Sequence, residues 1–264
     1  MIEIKDLSVF GRNEKKLLDN INLQIVPGEK LGITGPSGSG KTTIFKTIMR
    51  VLDPTCDIKS GDIFLDDVSL LELPIKKFRD LCGSVIGFIP QNPMTAFDKA
   101  YTVGETMVET FVYSLGKEKN EAEKIALEAL EKVNIDDNKR VFNLYPSECS
   151  GGMLQRITLA MIIVGNPQYV LADEPTAFLD EDNRKMVVEL LDNYLSDSAI
   201  FFASHDLDAI TKLCGTVWVI EDGELKNHSL INDFLNNPST EWERYLKSQL
   251  NKKGGYGWEW KKYW

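Results

Sequence analysis

One stretch of the sequence decides the fold: residues 30–43 read KLGITGPSGSGKTT. A short apolar run, Lys30–Thr34, comes first, and a helical pattern runs from Thr42 to about Leu52. The glycine-rich turn between them fits G-x-x-x-x-G-K-[ST], and a strand before it with a helix after it is the context that this phosphate-binding pattern requires. The residues of the turn are Gly35, Pro36, Ser37, Gly38, Ser39, Gly40, Lys41 and Thr42. The sequence therefore predicts a phosphate-binding loop between a strand and a helix.

The residue types in this loop suit a bound phosphate and a magnesium ion. Glycines let backbone N–H groups approach phosphate oxygens, and the following helix directs its free N–H groups and the positive end of its dipole at the anion. Lys41 adds a full positive charge toward the β- and γ-phosphates, and Thr42 offers a hydroxyl to Mg²⁺. A glycine-rich turn with an incidental lysine is the alternative, and the flanking strand and helix disfavour it.

The rest of the chain alternates short apolar runs with helical patterns. Ile2–Val9 alternates apolar and polar residues, as a half-buried strand does. Residues 101–133 are mostly helical in pattern. Three continuous apolar runs are typical of strands buried on both faces of a parallel sheet: Tyr169–Ala172, Ala199–Ala203 and Val217–Ile220. These patterns predict an α/β fold with a mostly helical insertion near residues 93–165.

The composition excludes several classes of protein. The formal net charge is −10, from 30 basic and 40 acidic residues, whereas the surface of a general nucleic-acid binder is usually basic. Because salt screens charges beyond roughly 8–10 Å, this charge is still compatible with a local phosphate site. The four cysteines lie far apart and the chain holds two histidines, so we expect neither a disulfide framework nor a zinc site. No apolar run reaches the roughly 18 residues that a membrane-spanning helix needs.

A pair of carboxylates follows one of the predicted strands. Asp173 and Glu174 come directly after Tyr169–Ala172, at the edge where open α/β sheets bind ligands. Asp173 could hold Mg²⁺ directly or through water, and Glu174 could polarise an attacking water. The alternative is a strand that ends in solvated acids before a proline turn. The phosphate-binding loop upstream favours the catalytic interpretation.

A histidine follows the next predicted strand. His205 comes after the apolar run Ala199–Ala203 and could contact a γ-phosphate through a hydrogen bond. A lone histidine is more often a structural residue, but its place after the strand that follows the Asp–Glu pair favours the functional interpretation.

A second candidate anion site begins another helical pattern. Ser150, Gly151 and Gly152 precede an apolar-periodic segment that starts near Leu154, and a helix N-terminus with serine and glycines can bind an anion. The phosphate-binding loop already accounts for one bound phosphate in this chain. We therefore expect the second site to bind a phosphate that is held by a second subunit. An ordinary serine N-cap is the alternative.

Taken together, these features resemble the ATP-binding cassette (ABC) ATPases over roughly residues 1–235. The motifs occur in the order and approximate spacing of that family: residues 35–42, Gln91, Ser150-Gly151-Gly152, Asp173-Glu174, Asp180 and His205. The resemblance implies a P-loop NTPase core with a mainly parallel sheet, antiparallel N-terminal strands and a helical subdomain at about residues 93–165. Residues 236–264 would then form a C-terminal helix and a basic aromatic tail.

The resemblance also implies where the ligands bind. ATP would lie on residues 35–42 and Thr43, and Phe10, in the first strands, would stack on the base. The magnesium ligands would be Thr42, Gln91 and Asp173.

The catalytic and partner-facing residues are carried over in the same way. The catalytic residues would be Glu174, His205 and Gln91. In this family the signature motif, here Ser150-Gly151-Gly152, binds the γ-phosphate held by the opposite subunit, so that two cassettes enclose two ATP molecules. Asp180 resembles the residue of the loop that couples the two subunits' sites.

A narrower resemblance is to the ATPase subunits of nickel, dipeptide and oligopeptide importers. It is carried by residues 91–97 (QNPMTAF) and residues 150–156 (SGGMLQR), and MLQR is nearer to the nickel importers. The implied function is ATP hydrolysis that drives import of nickel or other metal complexes or of peptides. The implied partners are a second cassette, transmembrane permease subunits and, indirectly, an extracytoplasmic substrate-binding protein, with no nucleic acid. The implied location is peripheral, at the cytoplasmic face of the cell membrane.

Three residues depart from the family pattern. Cys149 stands where the signature usually has leucine, Phe178 replaces a small residue before Asp180, and Pro90 precedes Gln91 where a bulky apolar residue is common. We expect Cys149 to tune the site, and Phe178 to alter subunit coupling or to mark pairing with a non-identical partner. An ATP-binding regulatory cassette with little turnover is therefore kept as an alternative.

Two further alternatives are disfavoured. A soluble ATPase acting on DNA or the ribosome fits poorly with the acidic charge. A small-molecule kinase would share the phosphate loop but would have no use for the signature motif.

The end of the sequence differs in composition from the rest. Residues 252–264, KKGGYGWEWKKYW, hold three of the five tryptophans and four lysines. A disordered terminus is the simpler interpretation, and contact with a membrane interface, where Trp, Tyr and Lys concentrate, is the alternative.

Overall fold

The computed structural model describes the backbone of residues 1–252 and the side chains of residues 1–248. The strands within these residues are β1 (Ile2–Phe10), β2 (Lys16–Ile25), β3 (Lys30–Thr34), β4 (Asp57–Leu65), β5 (Val68–Ser69), β6 (Ile86–Ile89), β7 (Tyr169–Asp173), β8 (Ala199–Ala203), β9 (Thr216–Glu221) and β10 (Glu224–Leu230). The α-helices are α1 (Lys41–Ile48), α2 (Ile75–Leu81), α3 (Val103–Leu115), α4 (Lys119–Lys132), α5 (Asn138–Phe142), α6 (Gly151–Gly165), α7 (Glu181–Tyr194), α8 (Leu207–Leu213), α9 (Ile231–Asn236) and α10 (Glu241–Lys252). Short 3₁₀ turns lie at Arg12–Glu14, Pro93–Ala96 and Pro146–Glu148. The predicted aromatic tail lies, but for its first residue, Lys252, outside the described residues.

The strands form two sheets. The larger sheet has the order β10-β9-β3-β8-β7-β6, and its pairs are parallel except for the antiparallel pair of β9 and β10. The smaller sheet has the order β2-β1-β4-β5 and is antiparallel. The predicted α/β fold, with a mainly parallel sheet and antiparallel N-terminal strands, is therefore confirmed.

The register of the central strands brings the predicted site residues to one edge. Neighbours β3, β8 and β7 run parallel, with Ile33 opposite Ala203 and Asp173 also opposite Ala203. The carboxyl ends of parallel strands meet at the same edge of a sheet, where α/β folds bind ligands. The loops after β3, β7 and β8 therefore carry the phosphate loop, the carboxylate pair and the histidine side by side.

A helical layer consists of α3, α4, α5 and α6, which lie within the predicted insertion at residues 93–165. Helix α6 joins this layer to β6, the edge strand of the large sheet. The apolar stripe of α4 faces this layer, because Ala122, Ala126, Ala129 and Leu130 are all buried. The division of the chain near residue 235 stays a prediction.

The core joins the phosphate loop to the sheet. Phe45, on the helix that follows the loop, meets Phe201 of β8 with ring centroids 4.7 Å apart, and both side chains are fully buried. Aromatic pairs at this separation add to the gain from burial. The orientation of α1 is thus fixed by the middle of the large sheet.

One predicted boundary was wrong. Helix α1 ends at Ile48 and not near Leu52, because Arg50 takes a left-handed backbone conformation with φ +57°.

No helix among residues 1–252 is both long and apolar enough to cross a membrane.

Removing the Phe201 ring tests the contribution of the Phe45–Phe201 pair to the core. We expect Phe201→Ala to lower the free energy of unfolding by about 3–5 kcal/mol, because it removes transfer free energy and leaves a cavity. Phe178→Ala is the matched control: Phe178 is 92% exposed, so we expect a change within about 0.5 kcal/mol. Denaturant titrations of both variants provide the measurement, and equal losses would contradict the assignment of the core.

Candidate active site

The phosphate loop needs glycine at three positions for two different reasons. Gly38 and Gly40 have φ values of +79° and +114°, which side chains rarely tolerate. At Gly35 the reason is space, since a Cβ atom would lie 2.0 Å from the carbonyl oxygen of Ile220. The loop therefore packs directly against the end of β9.

Lys41 lies inside the curve of this loop. Its Nζ donates to the carbonyl oxygens of Gly35 and Pro36 at 2.7 and 3.1 Å, and it lies 3.7 Å from Oε1 of Glu174. The side chain is 6% exposed. Burial lowers the pKa of the ammonium group, and the negative charges of Glu174 and Asp173 offset part of that effect.

One polar atom in the loop has no partner within the described residues. Ser39 is 4% exposed, and its Oγ forms no hydrogen bond. Buried hydroxyls are nearly always hydrogen-bonded, so an orphan marks a place where a ligand or water binds. Its position in the loop fits a phosphate oxygen.

A hydroxyl and a carboxylate meet at the start of α1. Thr42 Oγ1 donates to Asp173 Oδ1 at 3.1 Å, and Asp173 is 2% exposed. Burial raises the pKa of Asp173 to about 6, against the opposing effect of the Thr42 hydrogen bond. Two of the three predicted Mg²⁺ ligands, Thr42 and Asp173, therefore contact each other.

Glu174 points away from its neighbour Asp173 because its backbone is left-handed, with φ +47°. Its N–H donates to the Ala203 carbonyl at 2.9 Å, and its Oε2 lies 2.8 Å from Nδ1 of His205. Burial disfavours the charged carboxylate, but the His205 hydrogen bond and the Lys41 charge outweigh it, so the pKa of Glu174 is lowered. The same hydrogen bond raises the pKa of His205.

Lys41, Glu174 and His205 line one open cleft of about 680 Å³. Gln91, which follows β6, lines the same cleft together with Gly35, Lys41, Glu174 and His205. The structure thus brings together predicted residues that are more than 150 positions apart in the sequence.

Other predicted residues lie elsewhere. Ser150 is the N-cap of α6, where its Oγ accepts a hydrogen bond from the Met153 N–H at 3.2 Å. Neither Ser150 nor the glycines after it line the cleft. Phe10, at the end of β1, does not line it either, so its role as base-stacking residue stays a prediction. Cys149 is half-buried beside the signature motif, and burial raises the pKa of its thiol.

The loop before α7 ends in a helix-capping aspartate and exposes an aromatic ring. Asp180 is the N-cap of α7 and accepts hydrogen bonds from the backbone and side chain of Asn183 at 2.9 and 2.7 Å. Two residues earlier, Phe178 is 92% exposed with φ +63°. A bulky residue in this backbone region is strained, and such strain concentrates at functional sites.

Sequence reasoning missed several of the side chains that line the cleft, from α7, α8 and α10. Arg184 of α7 contacts Asp206 at 3.1 Å beside His205. Helix α10 supplies Trp242, Tyr245 and Leu246 to one wall. An apolar pair at i and i+4 in α10 could have indicated a buried face, but nothing in the pattern indicates which surface that face covers.

Comparison with known proteins places this geometry in a family. The sequence profile described as "ABC transporter" matches residues 18–177, more than half of the chain. The metal-staphylopine import system ATP-binding protein CntD of Staphylococcus aureus is 32% identical over 255 residues, which cover 96% of this chain and 94% of that protein. The oligopeptide transport ATP-binding protein OppD of Bacillus subtilis is 32% identical over 244 residues, which cover 90% of this chain and 68% of that protein.

A solved structure of similar fold carries nucleotide products. It is the dimeric, post-hydrolysis state of the ATP-binding cassette MJ0796 bound to ADP and Pi. The TM-score is 0.77 at 25% sequence identity, with 88% of this chain and 99% of that chain covered.

The close approach at Gly35 can be tested directly. We expect Gly35→Ala to weaken ATP binding at least tenfold and to destabilise the fold by about 1–3 kcal/mol, because the added methyl group would collide with the Ile220 carbonyl. Gly215→Ala is the matched control, since a Cβ there meets no atom within 4 Å. Nucleotide titration and denaturation measure both effects, and wild-type affinity in Gly35→Ala would contradict the described loop geometry.

Proposed function

The chain belongs to the ABC transporter family, and on that premise we propose that it is the ATP-hydrolysing subunit of a membrane importer for peptides or metal complexes. The observation that carries the proposal is the cleft in which Lys41, Glu174 and His205 meet at the end of the large sheet. The names of the related proteins support the two cargo classes.

We assign ATP binding to the phosphate loop. The glycine backbone N–H groups, the orphan Ser39 hydroxyl and the N-terminus of α1 would hold the β- and γ-phosphates. Lys41 would exchange its contacts with the loop carbonyls for phosphate oxygens. The remaining predicted ATP-binding positions, residues 36–37 and Thr43, would complete the contacts with the nucleotide.

The donor set fits a magnesium ion. Thr42 and Asp173 present two oxygen atoms 3.1 Å apart, and Gln91 lines the cleft that Lys41 and Glu174 also line. Residues 1–248 contain no group of three or more His, Cys, Asp or Glu side chains that could form a metal cage. Mg²⁺ is typically bound by one or two protein ligands, substrate phosphates and water, which matches this set. When bound, the ion would neutralise charge on the phosphates.

The chemistry assigned to the chain is attack of water on the γ-phosphorus. Glu174, whose lowered pKa keeps it ionised at neutral pH, would accept a proton from the water as its oxygen bonds to phosphorus. The bond between the γ-phosphorus and the bridging oxygen breaks, and ADP leaves. His205, held by Glu174 at 2.8 Å, would contact the γ-phosphate. The protein contributes mainly position and charge, as is usual in phosphoryl transfer.

A second cassette would complete each site. Ser150-Gly151-Gly152 lies at the N-terminus of α6 and outside the cleft of its own chain, so we assign it to the γ-phosphate of the partner. Asp180 and the exposed Phe178 would lie at the contact between the two subunits. Dimerisation of the related cassette supports this arrangement. Permease subunits and a substrate-binding protein would form the rest of the importer, with this chain attached peripherally to the membrane.

The catalytic assignment predicts a specific separation of binding from turnover. Glu174→Gln should keep ATP affinity within about threefold and lower the hydrolysis rate by about 10²–10⁴-fold, the range of a general base. Glu189→Gln, on the exposed side of α7, is the matched control and should hydrolyse ATP at the wild-type rate. Phosphate release assays decide the matter: near-wild-type turnover by Glu174→Gln would remove Glu174 from the role of base.

The shared site predicts complementation between two inactive variants. Lys41→Ala removes the phosphate loop charge, and Ser150→Ala removes the signature hydroxyl, so each homodimer should be nearly inactive. A mixed dimer regains one intact site, because the loop of one chain meets the signature of the other. An equimolar mixture should recover about a quarter of wild-type turnover, as expected for random pairing with one good site in two. No recovery, with both variants folded and exchanging partners, would contradict the homodimeric site.

The importer assignment is tested in cells. Cells whose only copy carries Glu174→Gln should lose uptake of a labelled oligopeptide or of a labelled metal–chelator complex, while Glu189→Gln cells keep it. Unchanged uptake of both probes would contradict the assignment to these two cargo classes.

A further inference from the structure

Helix α10 makes a direct contact with the strand that carries the phosphate loop. The indole Nε1–H of Trp242 donates to Thr34 Oγ1 at 3.1 Å. Thr34 is fully buried at the end of β3 and directly precedes Gly35. The contact therefore joins α10 to the residue directly before the loop, across 208 positions of sequence.

The start of α10 is anchored independently of this contact. Glu243 is 1% exposed, and its carboxylate accepts hydrogen bonds from Asn227 Nδ2 at 2.7 Å, Ser239 Oγ at 3.0 Å and the Thr240 N–H at 3.2 Å. Its Oε2 also accepts the Ser239 N–H. A buried carboxylate with this many donors is well satisfied, so it fixes the helix against β10 and sets the position of Trp242.

The far side of Trp242 faces the cleft. Its ring stacks on Tyr245 with centroids 5.3 Å apart, and both residues line the cleft with Lys41 and His205. The indole thus lies between the end of β3 and the space assigned to nucleotide.

We propose that α10 is a positioning element of the nucleotide site and that Trp242 is its positioning residue. This inference rests on the proposed function of the cleft. Lys41 binds the carbonyls of Gly35 and Pro36, and Gly35 has no free space against Ile220. A shift of Thr34 would therefore be passed directly to the carbonyl groups that orient Lys41. The hydrogen bond from Trp242 holds Thr34, and with it the entry of the loop, in the conformation that receives phosphate.

Three variants of the full-length chain separate this role from a general contribution to stability. Trp242→Phe keeps an aromatic ring but removes the donor, and leaves the Thr34 hydroxyl buried without a partner. Thr34→Val removes the acceptor at nearly constant shape. The double variant removes both partners, which costs little stability, because no buried polar group is left unsatisfied. Trp218→Phe is the matched control, since Trp218 stacks on His228 and does not line the cleft.

The measurements are the melting temperature and the KM and kcat for ATP of each variant. We expect each single variant to raise KM by about three- to tenfold, the range that one net hydrogen bond carries, with kcat changed less than twofold. In the double variant the melting temperature should recover while KM stays raised. Trp218→Phe should keep the wild-type KM.

Two results would overturn the proposal. One is a wild-type KM in folded Trp242→Phe, and the other is joint recovery of KM and melting temperature in the double variant, which would indicate a structural contact only. If Trp242→Phe fails to fold, Thr34→Val takes its place, and a wild-type KM for ATP in that variant would overturn the proposal. A wild-type chain whose ATP hydrolysis does not depend on Glu174 would instead contradict the proposed function, so the two failures are distinguishable.

Discussion

A buried ammonium group sets the constraint on which the site depends. Lys41 is almost fully buried, and an unpaired buried charge is costly. The backbone carbonyl oxygens of Gly35 and Pro36 accept hydrogen bonds from its ammonium group. The Glu174 carboxylate, which follows β7, lies 3.7 Å from the same nitrogen. The loop can curve around the ammonium only because glycine takes positive φ at two positions and leaves no Cβ beside Ile220. The loop, α1 and the ends of β7 and β9 are thereby fixed together.

The same constraint explains why adjacent carboxylates behave differently. Asp173 is the last residue of β7 and is buried, and this burial raises its pKa to about 6. The left-handed backbone at Glu174 turns the next side chain toward Lys41 and His205, and these two partners hold its pKa low in spite of burial. The two neighbouring carboxylates therefore suit different roles. Asp173, beside Thr42, suits a hydrated cation, and Glu174 suits a proton acceptor.

Much of this could be predicted from sequence because the signals are local. The phosphate loop is a continuous motif, and Asp173, Glu174 and His205 follow apolar strands whose parallel order brings their ends together. The contact of Trp242 with Thr34 could not be predicted, because it depends on how a C-terminal helix packs on a strand 208 positions earlier. The left-handed backbone of Phe178 could not be predicted from the sequence either, because the surrounding fold imposes this strain and the residue type does not indicate it.

The proposed function requires two chains for catalysis, because Ser150-Gly151-Gly152 lies at the start of α6 and does not line the cleft that Lys41, Glu174 and His205 share. The most direct test is the ATP hydrolysis rate of the purified chain over a wide range of concentration, with the molecular mass measured in parallel. We expect the rate per chain to rise with concentration, as the measured mass changes from that of the monomer to that of the dimer. A constant rate per chain, from a species that keeps the mass of a monomer, would contradict it.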